Sequence, residues 1–217
     1  MMTKFLLAIS ATALFVASGG CTRGTPPEQA FWKWFERNEP ALFDFDLEKS
    51  QDGILDELAF EIHKVDSNLT FEFGPKEDGR REFTISADGI RKAFPKVEKL
   101  YAAAPSLPRW HFVKFRQRRK PSDLSYGGVT VRAEAVSVLT EPDGQKLDIT
   151  VFIPGYSEAS KDTYDAIAFL FLDQALGEYD VEMHLGEVSI KAISQAPPKA
   201  YSFAALPKVF DASIARR

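Results

Sequence analysis

The chain has 217 residues, a formal net charge of -4 at pH 7 and a single cysteine. The mild acidity gives no electrostatic reason to expect a nucleic-acid partner. An exported protein that relied on disulfides would carry an even number of cysteines. The length suits one domain with a sizeable core.

The amino terminus has the layout of an export signal. Residues 1–4 form a short basic start, residues 5–16 are almost entirely apolar, and residues 17–20 are small. The apolar run is too short to span a bilayer, and small residues after such a run are typical of a secretory signal peptide. We therefore expect residues 1–20 to be a signal peptide.

Cys21 offers two interpretations of the cleavage site. The Gly20-Cys21 pair resembles a bacterial lipoprotein signal, although Ser18 stands where Leu is usual. The resemblance implies lipid attachment at Cys21, a tether over residues 21–27, and the outer membrane if the source is Gram-negative, because Thr22 is not Asp. In the alternative, an ordinary peptidase leaves a free thiol on a soluble periplasmic or secreted protein. The lone cysteine favours the lipid anchor.

Helical periodicity predicts two helices after the tether. Phe31, Trp34 and Phe35 share one face of the first, and Ile54, Leu58 and their neighbours share one face of the second. Aromatic side chains so close to an anchor could enter the membrane interface. Aromatics at helical spacing more often mark a core face, so we expect most of them to pack on a sheet.

The elements after residue 69 mix strands with helices. Alternation predicts a hairpin over 69–85, strands at 110–117, 129–139, 147–153 and 179–185, and a bulge at Gly186; helices are predicted over 88–104, 158–176 and from Pro207. No internal repeat is visible. The order predicts an α+β fold, a single two-layer domain over residues 28–194 with a mainly antiparallel sheet and helices packed on one face. Residues 195–217 are predicted to be a linker and a C-terminal helix packed on this domain.

Several strings resemble an uncharacterised family of bacterial proteins that has no known activity. They are Phe31-Trp32-Lys33-Trp34-Phe35 with Asn38-Glu39 and Leu42-Phe43, Phe71-Glu72-Phe73-Gly74-Pro75, Arg81-Glu82-Phe83 with Ile85-Ser86, Leu107-Pro108-Arg109-Trp110, Phe115-Arg116-Gln117-Arg118, and Leu176-Gly177-Glu178-Tyr179-Asp180-Val181-Glu182. The resemblance covers most of residues 31–182. It implies that the domain exists apart from this signal peptide, and it carries no function.

Ser157 is the most enzyme-like residue, in the string Gly155-Tyr156-Ser157-Glu158-Ala159. A serine between a strand and a buried helix is the context of a hydrolase nucleophile, with Asp173 or Asp180 and then His184 in suitable chain order. The string lacks the final glycine of that motif. The alternative is that the Ser157 hydroxyl caps the following helix, and we favour this structural role.

Two rows of charged side chains follow from the predicted strands. Asp180, Glu182 and His184 would project together and could hold a divalent cation. Lys114, Arg116 and Arg118 would also share a face and could bind an anion such as a phosphate or a lipid headgroup. If the two strands are neighbours, the rows would instead form a cross-strand charge ladder, which is the interpretation we favour.

The sequence contains no phosphate-binding glycine loop, zinc-protease helix or cysteine–histidine pair, so no cofactor is predicted. We expect a non-catalytic binding or interaction module of the bacterial cell envelope, anchored to the membrane, with a protein or small-molecule partner. The alternative is a hydrolase that uses Ser157 or a metal at Asp180, Glu182 and His184.

Overall fold

A computed structural model describes residues 24–45 and 53–215, so the expected signal peptide and Cys21 lie outside the described residues. The described helices are α1 (Pro27–Asp44), α2 (Ile54–His63), α3 (Phe94–Ala102), α4 (Lys161–Leu176), α5 (Glu178–His184) and α6 (Leu206–Ile214). The strands are β1 (Thr70–Glu77), β2 (Arg80–Ser86), β3 (Trp110–Lys114), β4 (Leu124–Tyr126), β5 (Val129–Val131), β6 (Ser137–Asp143), β7 (Lys146–Ile153), β8 (Leu185–Ala192) and β9 (Tyr201–Ser202). The α+β class is confirmed.

The described strands are divided among three sheets, where the sequence had suggested one. Their orders are β1-β2-β3, β4-β5 and β8-β7-β6-β9. Most neighbouring pairs are antiparallel, whereas β2 with β3 and β7 with β8 are parallel. Each parallel pair needs a crossover connection, and helices supply it.

The two larger sheets share one connectivity. We call each of these sheets with its connecting helices a unit. In the first unit, the β1-β2 hairpin leads through α3 to β3, which lies beside β2. In the second unit, the β6-β7 hairpin leads through α4 and α5 to β8, which lies beside β7. The same ββαβ arrangement therefore occurs twice, although no repeat is visible in the sequence.

Each unit has its own hydrophobic core. In the first, α1 lays Phe31 and Phe35 on the sheet, and the Phe35 and Phe83 ring centroids are 5.1 Å apart. Trp32 is buried as well, and its indole Nε1 donates to the Leu100 carbonyl at 2.7 Å. The expectation that these aromatics form a core face is confirmed.

The second core lies between α4 and its sheet. Ile167 and Phe171 of α4 are fully buried, and the Phe171 ring lies 5.3 Å from that of Phe203. Phe210 of α6 joins the same cluster, so the C-terminal helix packs on this unit.

Two predicted strands differ in extent from the observed ones. The 110–117 segment is extended only to Lys114, because Phe115 adopts a left-handed conformation with φ of 60°. The 129–139 segment contains β5, a 3-10 turn over Ala133–Ala135 and the first part of β6. A strand prediction based on alternation alone could not detect either break.

The strand predicted at 179–185 is wrong, because residues 178–184 form helix α5. Gly177, with φ of 84°, ends α4 and starts this second helix. Glu178, Val181 and Leu185 are buried, which is helical spacing of three and four residues. The predicted irregularity at Gly186 is confirmed, since the β7-β8 register shifts there.

Candidate functional site

The two units meet around the guanidinium of Arg116, whose side chain is 15% exposed. Its Nε donates to Glu72 at 2.5 Å, and its Nη1 lies 2.9 Å from Asp88 and 3.3 Å from Asp173. Burial by itself would lower the pKa of Arg116, but the hydrogen bonds and charges of these carboxylates raise it above its ordinary value. Arg116 therefore remains a cation at every physiological pH.

The backbone before Arg116 is unusual. Phe115 has a positive φ, which is rare for a bulky residue because its Cβ approaches the following carbonyl. The ring compensates by packing against Phe94 at 4.6 Å and Tyr179 at 5.4 Å. Directly after β3, this conformation turns the chain so that Arg116 enters the cluster instead of continuing the strand.

Glu178 holds the segments around Arg116 in place from the start of α5. Its side chain is fully buried, and it accepts hydrogen bonds from the N–H groups of Ala87, Gly89 and Arg116 at 2.9, 3.3 and 3.1 Å. Its own N–H donates to the Arg116 carbonyl at 2.9 Å. One carboxylate of the second unit thereby fixes two loops of the first.

The loop after β2 is a tight turn. Asp88 and Gly89 both have positive φ, and the Ile90 N–H donates to the Ala87 carbonyl at 2.8 Å. A Cβ placed on Gly89 would lie 3.1 Å from Oε1 of Glu182. Gly89 is therefore required for the backbone conformation and for the close approach of α5.

Asp173, on α4, is the most perturbed acid of the site. Burial raises its pKa to about 7, although the Arg116 charge acts in the opposite direction. Oδ2 contacts Arg116, whereas Oδ1 has no hydrogen bond with any described residue. A buried carboxyl group with a shifted pKa beside a cleft is a recognised mark of functional sites.

Glu182, on α5, has no ion pair or hydrogen bond with another side chain in the described part of the chain. Burial and the nearby charge of Glu178 raise its pKa, while Lys146 and Arg91 act in the opposite direction. Its carboxylate is half-buried and faces the turn at Gly89.

These groups line one wall of an open cleft of about 380 Å³. The lining residues are Asp88, Gly89, Arg116, Tyr126, Ala166, Phe169, Leu170, Asp173 and Glu182. The rest of the lining is largely apolar, and Phe169 and Tyr126 are unusually exposed for their size, at 40% and 49%. A second concave surface, of about 490 Å³, lies on the outer face of the β6-β7-β8 sheet but contains no perturbed acid. We therefore regard the cleft at Arg116 as the candidate site.

No family model, curated protein or solved structure matches this chain. The residues of the cleft are therefore the basis for assigning a function. Residues from distant parts of the sequence meet there: Arg116 contacts Glu72 and Glu178, and Glu182 lines the same cleft.

Ser157 lies in a different environment. It is exposed, and its hydroxyl pairs with the Ser160 hydroxyl at 2.8 Å instead of with an imidazole. It precedes a 3-10 turn and forms no side-chain cap there. Asp173, one of its candidate partners, instead contacts Arg116. The structure thus does not bring a base to the Ser157 hydroxyl.

The three candidate metal ligands no longer share a face, because the segment is helical. Asp180 and His184 are one helical turn apart, and Nε2 of His184 lies 3.6 Å from Oδ1 of Asp180. Glu182 instead faces the cleft. Asp180 also pairs with Arg118 at 2.6 Å. Within the described residues, no group of three or more His, Cys, Asp or Glu side chains is arranged to hold a metal ion.

Each cation of the proposed anion-binding row has a carboxylate partner. Lys114 pairs with Glu98 at 3.1 Å, and Arg118 pairs with Asp180 and Asp211, both at 2.6 Å. The acidic row lies on helix α5 and not on a strand beside β3. The expected cross-strand ladder therefore does not form. An anion would have to displace these partners.

Sequence reasoning missed Asp88 and Glu178, and assigned Asp173 only a weak role beside Ser157. The sequence predicts a helix start at Asp88-Gly89 and a strand that begins at residue 179, so it assigns no role to Glu178. None of the described helices is long and apolar enough to cross a membrane.

Proposed function

We propose that this protein is a non-catalytic binding module of the bacterial cell envelope that takes a small ligand into the cleft at Arg116. The observation that carries the proposal is the cleft itself. It combines apolar side chains of α4 with charged side chains from both units, and its volume is within the range of small-molecule sites.

The arrangement around Arg116 favours binding over catalysis. Its guanidinium already contacts three carboxylates, and the carboxylate oxygens of Glu178 accept hydrogen bonds from backbone N–H groups. Such groups fix a shape and do not offer a nucleophile. Among the described residues, no activated serine, cysteine or metal group accompanies the cleft.

The proposed location rests on the amino terminus. A lipid on Cys21 would hold the cleft near a membrane surface, since only a few residues separate that cysteine from α1. A ligand would then be captured in the envelope and retained there. The unlipidated alternative leaves the same cleft on a soluble periplasmic or secreted protein.

A small-molecule stabilisation screen with a cleft-filling variant tests the binding function. Ala166 lines the cleft, so Ala166→Trp should fill it, whereas Ala159 is exposed and does not line it. We expect at least one compound to raise the melting temperature of the purified wild-type chain and of Ala159→Trp, but not of Ala166→Trp. Compounds that stabilise all three proteins equally, or none of them, would refute the cleft as a ligand site.

A further inference from the structure

The charge of the cleft identifies a class of ligand. Of the titratable side chains that line it, Asp88, Asp173 and Glu182 are acids, and Arg116 is the only base among these described lining residues. Arg116 is also held by Glu72, which lies just outside the lining. Among these lining residues, three carboxylates therefore accompany one guanidinium.

Two carboxylate groups keep acceptor capacity that the described protein does not use. Oδ1 of Asp173 has no hydrogen bond with a described residue, and the side chain is 11% exposed. Glu182 has no side-chain partner within the described residues. Both carboxylates line the open cleft, and a cationic donor there would form charge-assisted hydrogen bonds with them.

The apolar lining of the cleft favours one kind of cation over others. Phe169, Leu170 and Ala166 form an apolar surface on α4, and Tyr126 extends it from β4. A hydrated metal ion would gain nothing from this surface and would need more oxygen ligands than are grouped here. An ammonium group attached to an apolar or aromatic body could use both the carboxylates and this surface, since aromatic faces also attract cations.

We propose that the cleft binds a small organic ammonium ion, with its charge at Glu182 and Asp173 and its apolar body against Phe169 and Tyr126. The inference rests on the proposed function, because it assigns a ligand class to the same cleft. Lys146 and Arg91 lie close enough to influence Glu182, and their charges oppose a bound cation.

Calorimetric titration of the purified chain with three matched probes tests this assignment: 2-phenylethylammonium, 2-phenylethanol and phenylacetate. At pH 8 we expect the ammonium probe to bind at least about tenfold more tightly than the alcohol, because a charge-assisted hydrogen bond contributes about that factor. Phenylacetate should bind most weakly. The melting temperature of the wild type at pH 8 confirms that the protein is folded under these conditions.

Two variants locate the probe. Glu182→Gln should weaken the ammonium probe about tenfold and leave the alcohol unchanged, whereas Phe169→Ala should weaken both. Exposed Glu158, outside the cleft, provides the control Glu158→Gln, which should change neither affinity.

The outcomes separate this inference from the proposed function. Equal or tighter binding of the alcohol or of phenylacetate, lost in Phe169→Ala, would overturn the ammonium assignment and leave the cleft as a binding site. Ammonium binding unaffected by both variants would place the probe elsewhere and overturn the inference. If no probe binds, the ammonium assignment is also overturned. The stabilisation screen then tests whether the cleft is a ligand site at all.

Discussion

Glu178 and Arg116 are joined by two hydrogen bonds that run in opposite directions. The Glu178 carboxylate accepts from the Arg116 N–H at 3.1 Å, and the Glu178 N–H donates to the Arg116 carbonyl at 2.9 Å. The pair connects α5 of the second unit to the end of β3 in the first. It places the only guanidinium among the described cleft-lining residues in contact with Asp173 of α4.

Glu178→Gln should destabilise the fold. The glutamine amide group would present donors to N–H groups that now meet carboxylate oxygens, and a buried unsatisfied group of this kind costs about 2–3 kcal/mol. Urea unfolding followed by circular dichroism measures the loss. Exposed Glu187→Gln is the control and should change the free energy of unfolding by less than about 0.5 kcal/mol. Equal effects of the two variants would contradict the role of Glu178.

Asp173 should make stability depend on pH between about 4 and 7. Because burial raises the pKa from 3.8 to about 7, the folded state binds more protons than the unfolded state in this window. The contribution is therefore favourable below the window and is lost as the pH rises through the folded pKa.

Asp173→Asn removes this titration. Compared with that variant, the wild type should lose about 1–4 kcal/mol of unfolding free energy between pH 5 and pH 8, since one pKa unit corresponds to about 1.4 kcal/mol. Urea unfolding at both pH values provides the measurement, and Asp162→Asn at an exposed position of α4 is the control. A difference between wild type and Asp173→Asn that stays constant with pH would disprove the shift.

Gly89 and Gly79 form a matched pair for the close approach at the cleft. Both have φ of 74°, so Ala should cost each about 1 kcal/mol of backbone strain. Only at Gly89 would the new Cβ press on Glu182, since nothing lies within 4 Å at Gly79. We expect Gly89→Ala to be the more destabilising in urea unfolding and to weaken cleft ligands. Equal losses would show that Glu182 moves away freely.

Arg81 stabilises the end of α1 from within the first core. Its Nη1 donates to the carbonyls of Leu42, Phe43 and Phe45 at 3.1, 3.0 and 3.0 Å. Arg81→Met keeps much of the apolar stem but leaves these carbonyls without their donor, so the free energy of unfolding should fall by about 2–4 kcal/mol. Arg80→Met, at the exposed neighbour, should have a smaller effect. The reverse order in thermal unfolding would contradict this assignment.

Lipid attachment can be tested in cells that process lipoproteins. Wild-type protein grown with labelled palmitate should carry the label, and Cys21→Ser should not, because the thiol is the attachment point that the signal predicts. Cell fractionation should show the wild type in the membrane. Equal labelling of both proteins, or of neither, would remove the anchor and favour a soluble envelope protein.

The sequence was sufficient for features that depend on local patterns. The helical spacing of Phe31, Trp34 and Phe35 predicted their burial, and the helix ending at Gly177 and the irregularity at Gly186 were also recognised correctly. Local periodicity and turn residues encode such features directly, because they depend on neighbours a few residues away.

The tertiary structure alone decided the site. Residues 179–185 alternate like a strand, but the burial of Glu178 beneath loops some 60 and 90 residues away makes the segment a helix. Glu72, Arg116 and Asp173 become neighbours only because two ββαβ units pack together. Their ion pairs form at that junction, and desolvation there raises the pKa of Asp173. No pattern of adjacent residues specifies either effect.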